Sequence, residues 1–174
     1  DMRIETASGV KEVRVYSFNC KVNSASVNLG KAELAGKKIP CVWNEDKIVN
    51  KPVKIGGQDY KITLVNIGNP HCVVFSEKVD AVDVETVGPL FENCDYFPER
   101  INAEFIRVVN KVTIKMRVWE RGNGETWSCG TGAAAAVAAA VLNGFCEKDT
   151  NITVKLRGGD LVVNYHSDGD VELM

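Results

Sequence analysis

Residues 133–142 read AAAAVAAAVL and contain no polar side chain. Alanine favours the α-helix, and a helix that is apolar on every face is normally buried on all sides. We predict a helix that begins near Thr131 or Gly132 and ends at about Leu142. A surface helix is the alternative, but it would need charged residues, and none occurs before Glu147. Because alanine has little bulk, neighbouring backbone can approach this helix closely.

Most of the remaining chain has the alternating pattern of β-strands. In VTIKMRVWE, for example, every second residue from Val112 to Val118 is apolar. Suitable turn sequences lie at Ala7-Ser8-Gly9, Asn110-Lys111, residues 157–160 and Ser167-Asp168-Gly169. Many strands and one thin apolar helix predict an α+β fold, in which a mixed, mostly antiparallel sheet is rolled around a central apolar α-helix.

A second helix is predicted from about Val84 to Asn93. Asp83 precedes it as a candidate N-cap, and Gly88-Pro89 should split or kink it. The pair Asn143-Gly144 is a plausible end for the alanine-rich helix.

The composition is that of an ordinary globular domain. The 174 residues are 45% hydrophobic and 25% charged, which is enough for one domain with a real core. The formal net charge is -2 and the basic residues are scattered, which argues against a nucleic-acid or anionic-membrane partner. No apolar run is long enough to span a bilayer. We expect a cytoplasmic protein.

The six cysteines, at positions 20, 41, 72, 94, 129 and 146, show no Cys-x-x-Cys spacing. Because that spacing marks zinc sites and redox motifs, we predict no metal site. A disulfide framework is the less favoured alternative, since a chain with a normal core does not need one. We expect reduced thiols, at least five of which are small buried hydrophobic residues.

Cys129 stands at the entrance to the apolar helix. The first N–H groups of a helix have no internal partners and carry partial positive charge, so they bind anions and lower the pKa of a cysteine there. Gly130 and Gly132 leave these amides open to a ligand, and Thr131 adds a hydroxyl. This segment could therefore hold a carboxylate beside a sulfur.

Glu120 and Arg121 end the strand upstream of Cys129. If Val118 faces the core, so does Glu120, and a buried carboxylate needs a partner such as a substrate ammonium. Arg121 can hold a carboxylate bidentately. Taken singly, these residues read as a structural thiol, a surface ion pair and turn glycines. Their combination in one window favours a ligand site.

Two further segments carry candidate residues. In IGNPHC, Asn69 can donate and accept hydrogen bonds, and His71 could tune a nearby acid or base. A bulged strand with a hydrogen-bonded core histidine is an equally good interpretation. Asn102, in PERINAEFI, is taken alone only an asparagine at the start of a strand.

Three motifs occur in order: GNPHCVVF at 68–75, FPERINAEFI at 97–106 and ERGNGETWSCGTGAAAA at 120–136. Together they resemble the diaminopimelate epimerase family, whose members interconvert LL- and meso-2,6-diaminopimelate without a cofactor. The opening IETASG and the closing GGDLVVNY also look like this family. The resemblance implies two pseudo-symmetric halves, each a mixed sheet rolled around a central helix. It also implies a two-base mechanism, in which each half supplies one cysteine.

The resemblance implies a role for each candidate. Cys129 would be the acid/base cysteine of the C-terminal half, with His71 adjusting the protonation of a thiol. Gly130 and Thr131 would bind the reacting α-carboxylate, and Glu120 the reacting α-ammonium. The other end of the substrate would be read by Asn69, Asn102 and Arg121. Serine at position 128, where alanine is common, is a mild departure.

The larger departure is an absence. The first cysteine of the family lies in a Cys-Gly-Asn-Gly motif, and none of the five other cysteines here precedes glycine. We therefore expect residues 1–20 to be the end of the N-terminal half and residues 21–174 to be the C-terminal epimerase domain. The partner would be the missing N-terminal half of the same enzyme, and this fragment alone should be inactive.

Two alternatives remain open at this stage. One is a non-catalytic binding or structural domain that retains the scaffold, and the other is a related racemase or isomerase with another substrate. The expected ligand is a small-molecule amino acid, with no metal or organic cofactor, and the family suggests a homodimer.

Overall fold

The computed structural model describes residues 1–6 and 9–174. Its strands are β1 (Met2–Thr6), β2 (Gly9–Phe18), β3 (Lys21–Lys31), β4 (Lys51–Ile55), β5 (Gln58–Asn66), β6 (Pro70–Phe75), β7 (Asn102–Asn110), β8 (Thr113–Glu120), β9 (Gly124–Thr126), β10 (Asn151–Leu156), β11 (Gly159–Tyr165) and β12 (Asp170–Leu173). Its helices are α1 (Val84–Glu92) and α2 (Gly130–Leu142), with 3-10 turns at Gly36–Lys38 and Val79–Ala81. The predicted turn residues Ala7 and Ser8 lie outside the described residues.

The described strands form one sheet in the order β1-β2-β3-β12-β11-β10-β8-β7-β6-β5-β4, and β9 pairs with β8. The pairs β6–β7 and β8–β10 are parallel, and the other pairs are antiparallel. The predicted α+β fold with a mixed, mostly antiparallel sheet is therefore confirmed. The hairpin between β7 and β8 is also present, with Asn110 opposite Thr113.

Helix α2 is the more deeply buried of the two helices. Every residue from Gly132 to Ala140 is buried, as the absence of a polar face predicts. The helix begins at Gly130, slightly earlier than predicted, with Cys129 as its N-cap. Asn143 is its C-cap, and Gly144 follows with φ +77°, so the predicted stop is confirmed.

Helix α1 is one short amphipathic element. The Asp83 side chain accepts a hydrogen bond from the Thr86 N–H over 3.2 Å, which confirms the N-cap. The helix continues through Gly88 and Pro89, so the predicted split does not occur. A proline at this position costs the helix one N–H donor, and packing of α1 on the sheet compensates.

The sheet has an apolar core on each face. Side chains such as Ile106 and Val118 pack with α2, whereas Phe105 packs with Phe91 of α1. Alternation along β7 therefore sends odd and even positions to different cores. Glu104 shares a face with Ile106 and so points towards α2.

The cysteines are free thiols, as expected, but the prediction that at least five are buried is wrong. Cys20 is exposed, and Cys41 and Cys94 are partly exposed. These three lie in turns or loops outside the strands, where side-chain burial is incomplete. Within the described part of the chain, no helix has the length and hydrophobicity needed to cross a membrane.

Candidate active site

The candidate active site lies where three neighbouring strands, β6, β7 and β8, meet the start of α2. His71 on β6 lies opposite Asn102 on β7, and Glu104 of β7 lies opposite Val118 of β8. These strands place His71, Glu104 and Glu120 on the face that packs against α2. Cys129 meets them because it caps that helix.

Cys129 is held by the helix that it caps. Its backbone is extended (φ -139°, ψ 111°), and its Sγ accepts the Gly132 N–H over 3.3 Å. The Thr131 hydroxyl lies 3.7 Å from Sγ. Cys129 is 8% exposed, so little of the residue reaches solvent.

The helix N-terminus does not make this thiol acidic. Burial raises the pKa of Cys129 to about 11, and the charge of Glu104 adds to the rise. The hydrogen bonds from Gly132 and Thr131 lower the pKa by less, and Glu120 raises it further. The expectation of a lowered pKa is therefore wrong for this chain, because desolvation and two carboxylates outweigh the helix terminus.

His71 is fully buried between two oxygen atoms. Its Nδ1 lies 2.7 Å from Glu104 Oε1, and its Nε2 lies 2.9 Å from Asn69 Oδ1. The predicted hydrogen-bonded core histidine is confirmed, but the predicted bulge is absent, because β6 pairs with β5 and β7 in continuous register; the tuning role of His71 stays a prediction. His71 is a hydrogen-bonded core histidine, and it also connects Asn69 to a carboxylate beside Cys129.

Glu104 was not among the predicted site residues. It is 0% exposed, and burial raises its pKa while His71 opposes that rise. One signal was available in the sequence, since NAEFI places a carboxylate among apolar strand residues on the same face as Ile106. A charge at such a position needs a partner, although the pattern alone does not identify it as His71.

Glu120 lies half-buried at the end of β8. The Thr126 hydroxyl donates a hydrogen bond to its Oε1, which joins the end of β8 to β9. Since Val118 is fully buried, the predicted facing of Glu120 follows from strand alternation. The carboxylate retains further lone pairs for a cationic ligand.

Asn102 connects two segments that were predicted separately. Its Nδ2 donates to the Pro70 carbonyl over 2.9 Å, and its Oδ1 accepts the Arg121 N–H over 2.9 Å. The side chain is 5% exposed. Asn102 therefore fixes the backbone that carries Arg121, whose own Nη1 donates to the Glu99 carbonyl over 2.9 Å.

Glu92 is the second residue that sequence reasoning missed. Its Oε1 accepts the Gly122 N–H over 2.8 Å and an Arg100 hydrogen bond over 3.0 Å. Its Oε2 accepts the Trp119 indole N–H over 2.6 Å. This nearly buried carboxylate attaches α1 to both sides of Glu120-Arg121. No local pattern predicts this, because its partners lie up to 30 residues away.

Glu125 holds the other side of the same loop. Arg117 donates to it through two nitrogens at 2.8 and 2.9 Å, and Arg157 adds a contact of 3.0 Å. The Gly158 N–H also donates to the Trp127 carbonyl over 2.8 Å. The segment that leads to Cys129 is therefore tied to the β10–β11 turn.

Gly130 and Thr131 form the first turn of α2 and are partly exposed. Among the described residues, their N–H groups donate to no protein acceptor, as is usual for the first positions of a helix. A Cβ on Gly130 would lie 2.9 Å from Leu173 Cδ2. The absence of a side chain at Gly130 therefore leaves room for Leu173 beside the start of α2.

A cleft lies elsewhere, between β1, β2, β3 and the chain near β12. It has a volume of about 630 Å³, and its lining is mostly charged side chains of β1, β2 and the chain near β12, with the polar Ser26 and Asn28 of β3. None of the predicted site residues borders it. Within residues 1–6 and 9–174, no three His, Cys, Asp or Glu side chains are placed to hold a metal ion.

The chain is similar in sequence to known diaminopimelate epimerases. The sequence model of diaminopimelate epimerase matches residues 63–174. The diaminopimelate epimerase of Acetivibrio thermocellus is 41% identical over 169 residues, which are 97% of this chain and 60% of that protein. The one of Pelotomaculum thermopropionicum is 44% identical over 164 residues, or 94% of this chain and 58% of that protein. This chain thus spans about 60% of the length of these curated relatives.

A solved structure matches the fold. A probable proline racemase from Agrobacterium radiobacter superposes with a TM-score of 0.70 at 12% identity, covering 98% of this chain and 55% of that one. At this identity the likeness concerns the architecture alone.

Proposed function

Because the chain belongs to the diaminopimelate epimerase family, we propose that it supplies one side of the active site of a cofactor-independent epimerase. The proposed reaction interconverts LL- and meso-2,6-diaminopimelate. The observation that carries the proposal is Cys129 at the start of α2, with the Gly132 N–H bonded to its sulfur.

Cys129 is proposed as the proton donor of this side. A pKa of about 11 makes it a thiol at neutral pH, and a thiol is the form that donates. Inversion removes the α-proton on one face, where an S–H bond forms, and delivers the Cys129 proton to the other face, where a C–H bond forms. The reverse reaction would use Cys129 as the thiolate. The second cysteine would come from the N-terminal half.

The start of α2 is proposed to bind the reacting α-carboxylate. The Gly130 and Thr131 N–H groups lie at a helix N-terminus and are suited to donate hydrogen bonds to an anion. They would also stabilise the negative charge that develops on the substrate as the proton leaves. Glu120, which is half-buried and whose charge acts on Cys129, is proposed to bind the α-ammonium.

The distal end of the substrate is proposed to meet Asn69, Asn102 and Arg121. Both ends of the Asn102 amide already bond backbone, so its main contribution would be to place Arg121. Asn69 has an amide nitrogen left to donate, and the Arg121 guanidinium could bind a carboxylate bidentately.

The proposal extends to the arrangement of the sheet and to the division of the chain. We propose that the sheet is rolled around α2, which is supported by contacts of that helix with β5–β8 and β10–β12. We further propose that residues 1–20 end an N-terminal half and that residues 21–174 form the C-terminal domain. Exposed apolar side chains on β1 and β2, including Met2, Ile4 and Phe18, support a covering partner. We also propose that the enzyme is a cytoplasmic homodimer.

The test uses the full-length polypeptide that contains this chain. With LL-diaminopimelate in D₂O, NMR should detect exchange of the α-proton together with formation of the meso isomer. Cys129→Ala should abolish formation of the meso isomer, whereas Cys146→Ala, at the far end of α2, should retain it. Activity that survives Cys129→Ala would remove this residue from the mechanism. Turnover of another amino acid alone would favour a related racemase, and an inactive full-length protein would favour a binding domain.

A further inference from the structure

Glu104 is a buried carboxylate with one protein partner in the described structure. Both Glu104 and His71 have 0% side-chain exposure, and their Oε1 and Nδ1 atoms are 2.7 Å apart. The second oxygen, Oε2, is buried and accepts no hydrogen bond from any described residue. A buried polar atom without a partner is uncommon and calls for a functional explanation.

The same carboxylate approaches the helix that carries Cys129. A Cβ added to Gly132 would lie 2.9 Å from Glu104 Oε1 and 3.1 Å from Cys129 Sγ. Gly132 therefore leaves room for the carboxylate and the sulfur to lie on either side of one glycine. Any side chain at this position would push them apart.

The surroundings supply little to neutralise Glu104. Glu120 of β8 adds a second negative charge, and Cys72, on the opposite face of β6, is a buried thiol. His71 is thus the group that can compensate the charge of Glu104. If Nδ1–H donates to Glu104 Oε1 and Nε2–H donates to Asn69 Oδ1, both ring nitrogens are held and the ring is fixed.

We propose that Glu104 is a positioning residue of the site. It holds the His71 ring through the Nδ1–H donor, and its buried carboxylate keeps Cys129 in the thiol form that donates a proton. This goes beyond the roles proposed for Cys129 and His71, since it assigns their control to a third residue. The assignment rests on the proposed function only for the use of that proton in epimerisation.

The approach of Glu104 to Cys129 on either side of Gly132 accounts for its effect on the thiol. A carboxylate near a thiol disfavours the thiolate, and Glu104 raises the pKa of Cys129. Replacing Glu104 by Gln retains the shape of the side chain and removes the charge. The Cys129 thiolate should then form at lower pH.

The chain itself allows a test without turnover. Cys129 is labelled with iodoacetamide at several pH values, and the labelled peptide is quantified by mass spectrometry. The labelling rate reports the fraction of Cys129 that is thiolate. Glu104→Gln should move the midpoint down and raise the labelling rate at about pH 8, by about tenfold for each unit that the pKa falls. Exposed Cys20 in the same digest serves as the reference.

The matched control uses the other histidine. His166 Nε2 lies 3.8 Å from Glu172 Oε2 at the surface, so Glu172→Gln removes a carboxylate near a histidine away from the site. It should leave Cys129 labelling within about twofold of the wild-type rate, since one partly exposed charge is screened by water. An unchanged or higher midpoint in Glu104→Gln would overturn the proposal.

A second measurement does not depend on any variant. The chain has two histidines, so ¹⁵N NMR of the rings resolves each one. In the wild-type chain at neutral pH, His71 should carry a proton on Nδ1 that is protected from exchange with water. A ring protonated on Nε2 alone would refute the assigned hydrogen bond. Because neither measurement uses substrate, failure here is distinguishable from failure of the epimerase proposal.

Discussion

The Trp119 indole N–H donates to Glu92 Oε2 over 2.6 Å, and this bond joins α1 to the strand that ends at Glu120. The other oxygen of Glu92 accepts the Gly122 N–H on the far side of Arg121. One carboxylate on a short helix therefore braces both ends of the segment proposed to bind substrate.

Replacing Glu92 by Gln should destabilise the chain. The Gln nitrogen cannot accept a hydrogen bond, so at least one of the Trp119 and Gly122 donors loses its partner. Leaving a buried donor unpaired costs about 1–3 kcal/mol. The free energy of unfolding from urea titration should fall by about this amount. Glu77→Gln, at an exposed loop position, should change it little, and equal losses in both variants would contradict the bracing role.

Gly88 should not tolerate alanine, although alanine is the better helix former. A Cβ at this position would lie 2.5 Å from atoms of the Trp119 ring. We expect Gly88→Ala to lower the free energy of unfolding by about 1–3 kcal/mol, the usual cost of overpacking. In a double-mutant cycle with Trp119→Leu, most of this loss should disappear, because the smaller side chain vacates the space. Additive losses would show that the ring is not the obstacle.

Raising the pH should destabilise the fold through Cys129. Its pKa is raised from 9.0 to about 11 in the folded chain, so between these values the unfolded state loses its proton first. Stability present below pH 9 is then lost as the pH rises towards about 11, by about 1.4 kcal/mol for each unit. Buried Cys72, whose pKa is also raised, acts in the same direction.

This effect is measured as the slope of the free energy of unfolding against pH in alkaline solution. Urea unfolding at several pH values above about 8 should show a smaller decline in Cys129→Ala than in the wild-type chain. The exposed variant Cys20→Ala should keep the wild-type slope. Equal slopes for all three proteins would mean that Cys129 titrates normally.

Lowering the pH should act through Glu125. The hydrogen bonds of Arg117, and then those of Arg157, hold the pKa of Glu125 below its usual 4.5. Stability from this group is therefore present above pH 4.5 and is lost as the pH falls through the lowered value. Glu125→Gln should flatten the decline on acidification. Glu147→Gln, which changes the exposed Lys111–Glu147 pair, should leave the decline in stability on acidification as steep as in the wild-type chain.

Much of this fold could be predicted from local patterns. The absence of polar residues in 133–142 predicted a buried helix, and Asp83 predicted the start of α1. Strand alternation predicted that Glu120 faces the same core as Val118. Each of these inferences depends on interactions within a few residues, where sequence spacing fixes geometry.

The site was less predictable, because its contacts join distant strands. His71 and Glu104 are 33 residues apart, and only the parallel pairing of β6 with β7 brings them together. Asn102, which the family resemblance places at the substrate, has both ends of its amide bonded to backbone.

The position of Cys129 at the start of a helix follows from its sequence, because capping and helix propensity are local effects. Its proton affinity does not follow, because burial and the approach of Glu104 depend on how the sheet packs against α2. Desolvation and charge interactions vary with distance in the folded chain. The sequence therefore specified which thiol stands at the helix entrance, and the tertiary structure decided that it is held as a thiol.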